Sequence, residues 1–251
     1  MIALPKFHEN DLVIASISGG KDSAALAIAL QEASIPFVAV FADTGWEAPE
    51  TYAHLEVMER VLGITIHRVG FPGGMRAKVL ARAGFPARMQ RWCTVELKVK
   101  PLDAFALALG EKEDRAVLQA VGIRAEESEK RAAMAEVEHD DSRDLTVWRP
   151  LLHWTIEDVL AAHHRAGLPV NPLYQRGHER VGCWPCIYSS KAEIRLWAEH
   201  DPDRVREVAD LELFVEAERA KRNEETPGRY AHPVGTFFQA RQFEKGPNGE
   251  R

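Results

Sequence analysis

Apolar residues gather in five short, β-rich runs, at 12–17, 36–42, 64–69, 116–121 and 146–149. Helix-like stretches separate or follow them at about 23–34, 48–62, 74–83, 97–109 and 125–137. Strands alternating with helices predict a parallel five-stranded sheet covered on both faces, a Rossmann-like α/β arrangement. Ligands of such sheets bind beyond the carboxyl ends of the strands. Ser18 and Asp43 fall at strand ends and Arg124 just after one, so one pocket can collect all three.

After residue 150 the pattern turns to helices and loops, which divides the chain into 1–150 (α/β), 151–225 (helical) and 226–251 (a tail). Thr155, followed by Glu157 and Asp158, marks a helix start. Asp201-Pro202 marks another, with a helix expected to about Arg222 and Val205, Val208, Leu211 and Val215 along one face. From Thr226, glycine, proline and aromatics mix without period, as in a tail that drapes over the body or meets a partner. Glu136 to Asp144 is polar and charged and is expected to be the most mobile loop.

The sharpest signal is Ser18-Gly19-Gly20-Lys21-Asp22-Ser23, set between an apolar run and a helix-like stretch. Two glycines let the backbone turn tightly and aim several N–H groups at one spot. The helix start adds unpaired donors and a positive dipole end. Such a turn suits a phosphate-like anion. The Walker pattern requires glycine where this chain has Ala15 and serine or threonine where it has Asp22, so this is a different phosphate loop.

Composition narrows the class. The 251 residues are 45% hydrophobic, enough for a large α/β core. No run is long enough to span a membrane and no signal peptide is evident, which points to a cytoplasmic protein. The net charge of −6 argues against broad nucleic-acid binding. Residues 76–100, however, hold Arg76, Lys78, Arg82, Arg88, Arg91, Lys98 and Lys100 against Glu96 alone, a local +6. That is either a solvated basic face or a field for an anionic ligand. Three cysteines, Cys93, Cys183 and Cys186, make no paired disulfide framework.

The hexapeptide resembles the PP-loop of N-type ATP pyrophosphatases and 3′-phosphoadenylyl-sulfate (PAPS) reductases. Further segments narrow the resemblance to the PAPS reductase family: Asp43-Thr44-Gly45, Pro49-Glu50-Thr51-Tyr52, Arg91-Trp92-Cys93-Thr94 with Leu97-Lys98 and Pro101-Leu102, Val121-Gly122-Ile123-Arg124 with Glu127-Ser128 and Arg131, Asn171-Pro172-Leu173-Tyr174, and Gly182-Cys183-Trp184-Pro185-Cys186. They cover roughly residues 12 to 190 in the family's order.

The resemblance implies an adenine nucleotide, ATP or PAPS, cradled by Gly19, Gly20 and Lys21, with hydroxyls from Ser18 and Ser23. Lys21 would neutralise the leaving group, and Asp22 would hold Mg²⁺ or cap the helix. Asp43 would help hold metal or ribose, and Arg124 and Arg131 would fork onto an anion. Lys21, Asp22 and Arg124 are the catalytic candidates. Iron–sulfur members carry Cys-Cys at the first site, where Trp92 here replaces one cysteine. Cys93, Cys183 and Cys186 would then hold a [4Fe–4S] cluster with an open iron, shielded by Trp92 and Trp184. The alternatives are zinc with His178 as a fourth ligand and free or redox thiols.

Typical PAPS reductases attack with a C-terminal cysteine, and no cysteine follows Cys186. The expected reaction is therefore adenylylation, with ATP cleaved between its α- and β-phosphates, coupled to cluster-assisted sulfur transfer. Its partner would be a sulfur donor or acceptor, protein or nucleic acid. The alternatives are reduction of adenylyl sulfate or PAPS with a partner's thiol, and a non-catalytic nucleotide-binding subunit. A homo-oligomer stays open.

Overall fold

The computed structural model describes residues 10–225. Six strands form one sheet: β1 (Leu12–Ile17), β2 (Val38–Asp43), β3 (Ile66–Gly70), β4 (Val117–Val121), β5 (Val137–Asp140) and β6 (Leu145–Trp148), in the order β3-β2-β1-β4-β6-β5. The five expected strands are all present, and each pairs in parallel with its neighbours among them. The sixth, β5, is an addition and runs antiparallel to β6 at the edge.

Ten helices accompany the sheet among the described residues: α1 (Lys21–Glu32), α2 (Pro49–Leu62), α3 (Gly74–Arg82), α4 (Trp92–Thr94), α5 (Lys100–Glu113), α6 (Glu129–Ala132), α7 (Ile156–Ala166), α8 (Pro172–Gln175), α9 (Lys191–His200) and α10 (Pro202–Glu225). Side chains alternate along β1 and so supply two cores. Val13, Ala15 and Ile17 pack with α1, α2 and α7, while Leu12 and Ile14 pack with Ala106 of α5 on the opposite face. Every residue of α1 from Ala24 to Leu30 is buried, as its all-round apolar sequence requires.

Burying Leu26, Ile28 and Leu30 contributes about 1.5–3 kcal/mol each. That anchors the helix whose first turn carries the glycine loop. A separate cluster joins Trp46, Leu97, Leu173, Trp184 and Trp197 to the expected α10 face of Val205, Val208, Leu211 and Val215.

Two expectations need correction. Residues 125–137 are not one helix but a 3-10 turn (Ala125–Glu127), the single turn α6, and the start of β5. The segment 136–144, expected as a mobile loop, is mostly a hairpin. Arg149 fixes its incoming arm, donating from its backbone N–H to Glu136 O at 2.7 Å and from its guanidinium to Ala135 O and Glu138 at 2.7 and 2.8 Å. These are long-range contacts that a polar sequence does not advertise.

The helix expected at 97–109 begins sooner, at α4, and passes through a π-turn at Val95–Val99 in which Lys100 N–H reaches back to Val95 O. Pro101, lacking an N–H, cannot continue the ordinary ladder there. Expectations for residues 1–9 and for the 226–251 tail lie outside the described residues. Among those described, no helix is long and apolar enough to cross a membrane.

Candidate functional site

The Ser18–Ser23 loop closes on itself. Ser18 donates from its N–H and its hydroxyl to Ser23 Oγ at 3.0 and 3.1 Å, and Ser23 Oγ donates to Gly20 O at 2.9 Å. Gly19 stands at φ +73°, and a Cβ there would lie 2.8 Å from the Thr51 methyl carbon. Both facts demand glycine.

Three side chains from the helical region hold the loop from outside. Asn171 Nδ2 donates to Gly19 O at 3.2 Å, Lys21 N–H donates to Tyr174 Oη at 3.2 Å, and His163 Nε2 lies 2.9 Å from Lys21 O.

Asp22 is engaged on both oxygens. Lys21 Nζ reaches Oδ2 at 2.9 Å, and Arg124 Nε, arriving from beyond β4, reaches Oδ1 at 2.6 Å. Arg124 also pairs with Glu126, and its side chain is only 5% exposed. The structure thus places Arg124 against the loop, but not among the residues lining the adjacent cavity. Arg131 does line it, and pairs with Glu127. Asp43 lies at the end of β2, accepting from Gly45 N–H at 2.8 Å and Tyr52 Oη at 2.7 Å.

Gly122 makes the approach of β4 to the loop possible. A Cβ there would sit 2.7 Å from Asp22 O, 2.9 Å from its carbonyl carbon and 3.1 Å from Ser23 N, all backbone atoms. Gly122→Ala is therefore expected to cost about 1–3 kcal/mol and to weaken anion binding at the loop. Denaturant titration and a binding assay check this. Wild-type behaviour in both would mean that the backbone yields at no cost.

The cavity, of about 320 Å³, is lined by the loop (Ser18 and Gly20 to Ser23), by Tyr174, and also by Lys98, Cys183 and Cys186. Of the seven basic residues in 76–100, only Lys98 lines it. Lys78 and Arg82 are taken up by Glu96, and Arg76 faces Glu207. Cys183 is held by backbone pairing with Glu47, and Trp184 N–H donates to Trp46 O at 2.6 Å. Burial pushes the Cys183 thiol up to about 11, against the pull of the Lys98 ammonium. The Cys183 charge, in turn, holds Lys98 above the usual lysine range, and the buried Glu47 carboxylate 3.9 Å away adds to this. Burial also raises Cys93, which feels Cys186 but does not line the cavity.

The expected metal centre finds no assembled donor set. Among the described residues, no three His, Cys, Asp or Glu side chains are placed to hold one ion. His178 packs edge-on against Trp184, with ring centroids 4.8 Å apart, and burial lowers its pKa. Trp184 is buried in the C-terminal cluster, and Trp92 packs against that cluster's edge with the Arg82 guanidinium over its ring.

The chain has relatives among known proteins. The model of the phosphoadenosine phosphosulfate reductase domain matches residues 12–189. The chain belongs to the PAPS reductase family. A 37.8 kDa protein of Escherichia phage 186 is 34% identical over 259 aligned positions, covering 84% of this chain and 77% of that protein. The adenosine 5′-phosphosulfate reductase of Allochromatium vinosum is 33% identical over 188, covering 71% and 69%. A crystal structure of the PAPS reductase of Candida auris, 19% identical, superposes with a TM-score of 0.53 over 71% of this chain and 83% of that one, a likeness of fold. Family membership makes this chain a nucleotide-binding enzyme of sulfur metabolism.

Sequence reasoning missed Lys98 and Glu47 as neighbours of the cysteines, and His163 as a holder of the loop. Only the Leu97-Lys98 motif hinted at the first, and nothing local marks His163. Tyr174 and Asn171 were visible as motif residues but not as the loop's supports.

Proposed function

We propose that this enzyme reduces a nucleotide sulfate, adenosine 5′-phosphosulfate or PAPS, with electrons from a partner protein's thiols. The observation that supports this most is the cavity of about 320 Å³ beside the phosphate-type loop, where Lys98 and Arg131 add positive charge for an anionic nucleotide sulfate. The name and 33% identity of the Allochromatium vinosum relative point the same way.

The loop amides not taken by Ser23 and Tyr174, with the Lys21 ammonium, receive the phosphate side of the nucleotide. A partner thiolate attacks the sulfonate sulfur, forming an S–S bond as the S–O bond breaks. The nucleotide leaves with the electron pair, its charge stabilised by Lys21. The partner's second thiol then attacks the sulfenyl sulfur and displaces sulfite. Two thiols become a disulfide, and the sulfur gains two electrons. Asp22, engaged by the two cations Lys21 and Arg124, is assigned to holding the loop rather than to Mg²⁺.

The test is sulfite release from each nucleotide sulfate with reduced thioredoxin as the thiol donor. Sulfite in proportion to nucleotide consumed is expected. Pyrophosphate release from ATP without sulfite from either substrate would replace this reading with adenylylation coupled to sulfur transfer. Iron in stoichiometric amounts after anaerobic purification would bring back the cluster.

A further inference from the structure

The first N–H of a helix has no partner within the helix. In α1 that donor belongs to Lys21, and it is taken by the Tyr174 hydroxyl at 3.2 Å. This bond uses a lone pair of the phenol oxygen and leaves its proton. A tyrosine hydroxyl that accepts still has one O–H to give. Among the described residues no acceptor takes it, and Tyr174 lines the cavity.

The neighbourhood fixes the group. Asn171 accepts from Leu173 N–H at 3.1 Å and donates to Gly19 O, tying the turn that carries Tyr174 to the loop. The Lys21 ammonium stands 5.1 Å from the phenol ring centre. Gly20 presents bare backbone to the hydroxyl, and a Cβ there would come within 3.2 Å of it. Burial pushes the phenol up to about 12, which keeps it a donor at neutral pH.

We propose that Tyr174 is a ligand-binding residue: its O–H, held by the Lys21 amide, donates to a non-bridging oxygen of a phosphate-type anion seated on the Ser18–Ser23 loop. This rests on reading that loop as the phosphate seat. The oxyanion is then bound by the loop amides and the Lys21 ammonium on one side and by a neutral hydroxyl from the helical region on the other.

The test is calorimetric titration of wild type, Tyr174→Phe and Lys21→Ala with AMP, inorganic pyrophosphate and adenosine. Tyr174→Phe should weaken AMP and pyrophosphate about tenfold or more, as expected for losing a hydrogen bond to a charged group. Adenosine affinity should stay at its wild-type value, while the melting temperature should fall by a few degrees, because the Lys21 N–H loses its acceptor. AMP affinity within about twofold of wild type overturns the proposal, and so does an equal loss for adenosine, which would mark damage beyond the phosphate seat.

If Lys21→Ala weakens AMP and Tyr174→Phe does not, the loop reading stands and the proposal falls. Should wild type bind neither AMP nor pyrophosphate, both fall. 3-Fluorotyrosine at position 174, a stronger donor and a weaker acceptor, separates a ligand contact from the clamp on the Lys21 N–H: tighter AMP binding supports the contact, and unchanged or weaker binding overturns it.

Discussion

Lys21→Ala is expected to lower turnover by about 10²- to 10³-fold while leaving the fold intact, the usual effect of removing one preorganised charge from a developing anion. The proposed reaction gives the side chain that role. Its ammonium rests on Asp22 at the rim of the cavity, and its backbone is held separately by His163 and Tyr174. The substitution therefore removes charge without releasing the turn. Nearly all the loss should appear in sulfite release rather than in thermal stability. A folded Lys21→Ala protein with wild-type turnover would remove Lys21 from the chemistry.

Arg124→Met should act the other way, on stability first. The guanidinium is buried and donates to Asp22 at 2.6 Å. Breaking a buried pair by deleting one partner costs about 3–5 kcal/mol, because the other charge stays behind. Here the lower end applies, since Lys21 still faces Asp22. Urea unfolding should show a loss of roughly 3 kcal/mol, with nucleotide affinity falling as the loop loosens. If stability is unchanged while turnover collapses, Arg124 belongs to the reaction rather than to the scaffold.

The sequence disclosed those features that depend on neighbours along the chain. The glycine loop is legible because its turn, its donors and the helix after it are contiguous. Four of the five parallel strands are legible because they are largely buried apolar runs, and β3, Ile66–Gly70, is legible through its β-branched residues although most of it is exposed. Strand β5 was not: Val137-Glu138-His139-Asp140 is polar, and its strand geometry comes from pairing with β6 and from the guanidinium of Arg149. The basic run 76–100 read as a field for an anion, yet Glu96, Glu207 and the packing of α3 absorb much of it, and Lys98 alone reaches the cavity. Arg124 read as a fork for a ligand, and the structure instead turns it onto Asp22. The partners of Arg124 and Arg76 are side chains distant in sequence, which no local pattern encodes, and even the nearby Glu96 and β6 are chosen by the folded geometry rather than by the run itself.

The clamp on the glycine loop bears on how this molecule can be cut and recombined. His163, Asn171 and Tyr174 belong to the stretch after the last strand, yet they hold the backbone of the first turn. A fragment ending at Trp148 would keep all six strands and the entire hexapeptide, but it would lose every one of these supports. Transplanting the amino-terminal half onto another scaffold would therefore carry over the motif without its shape. Recombination with a relative should succeed only when the two stretches travel together, because the glycine loop and the Asn171-Pro172-Leu173-Tyr174 turn form one structural unit split across the chain.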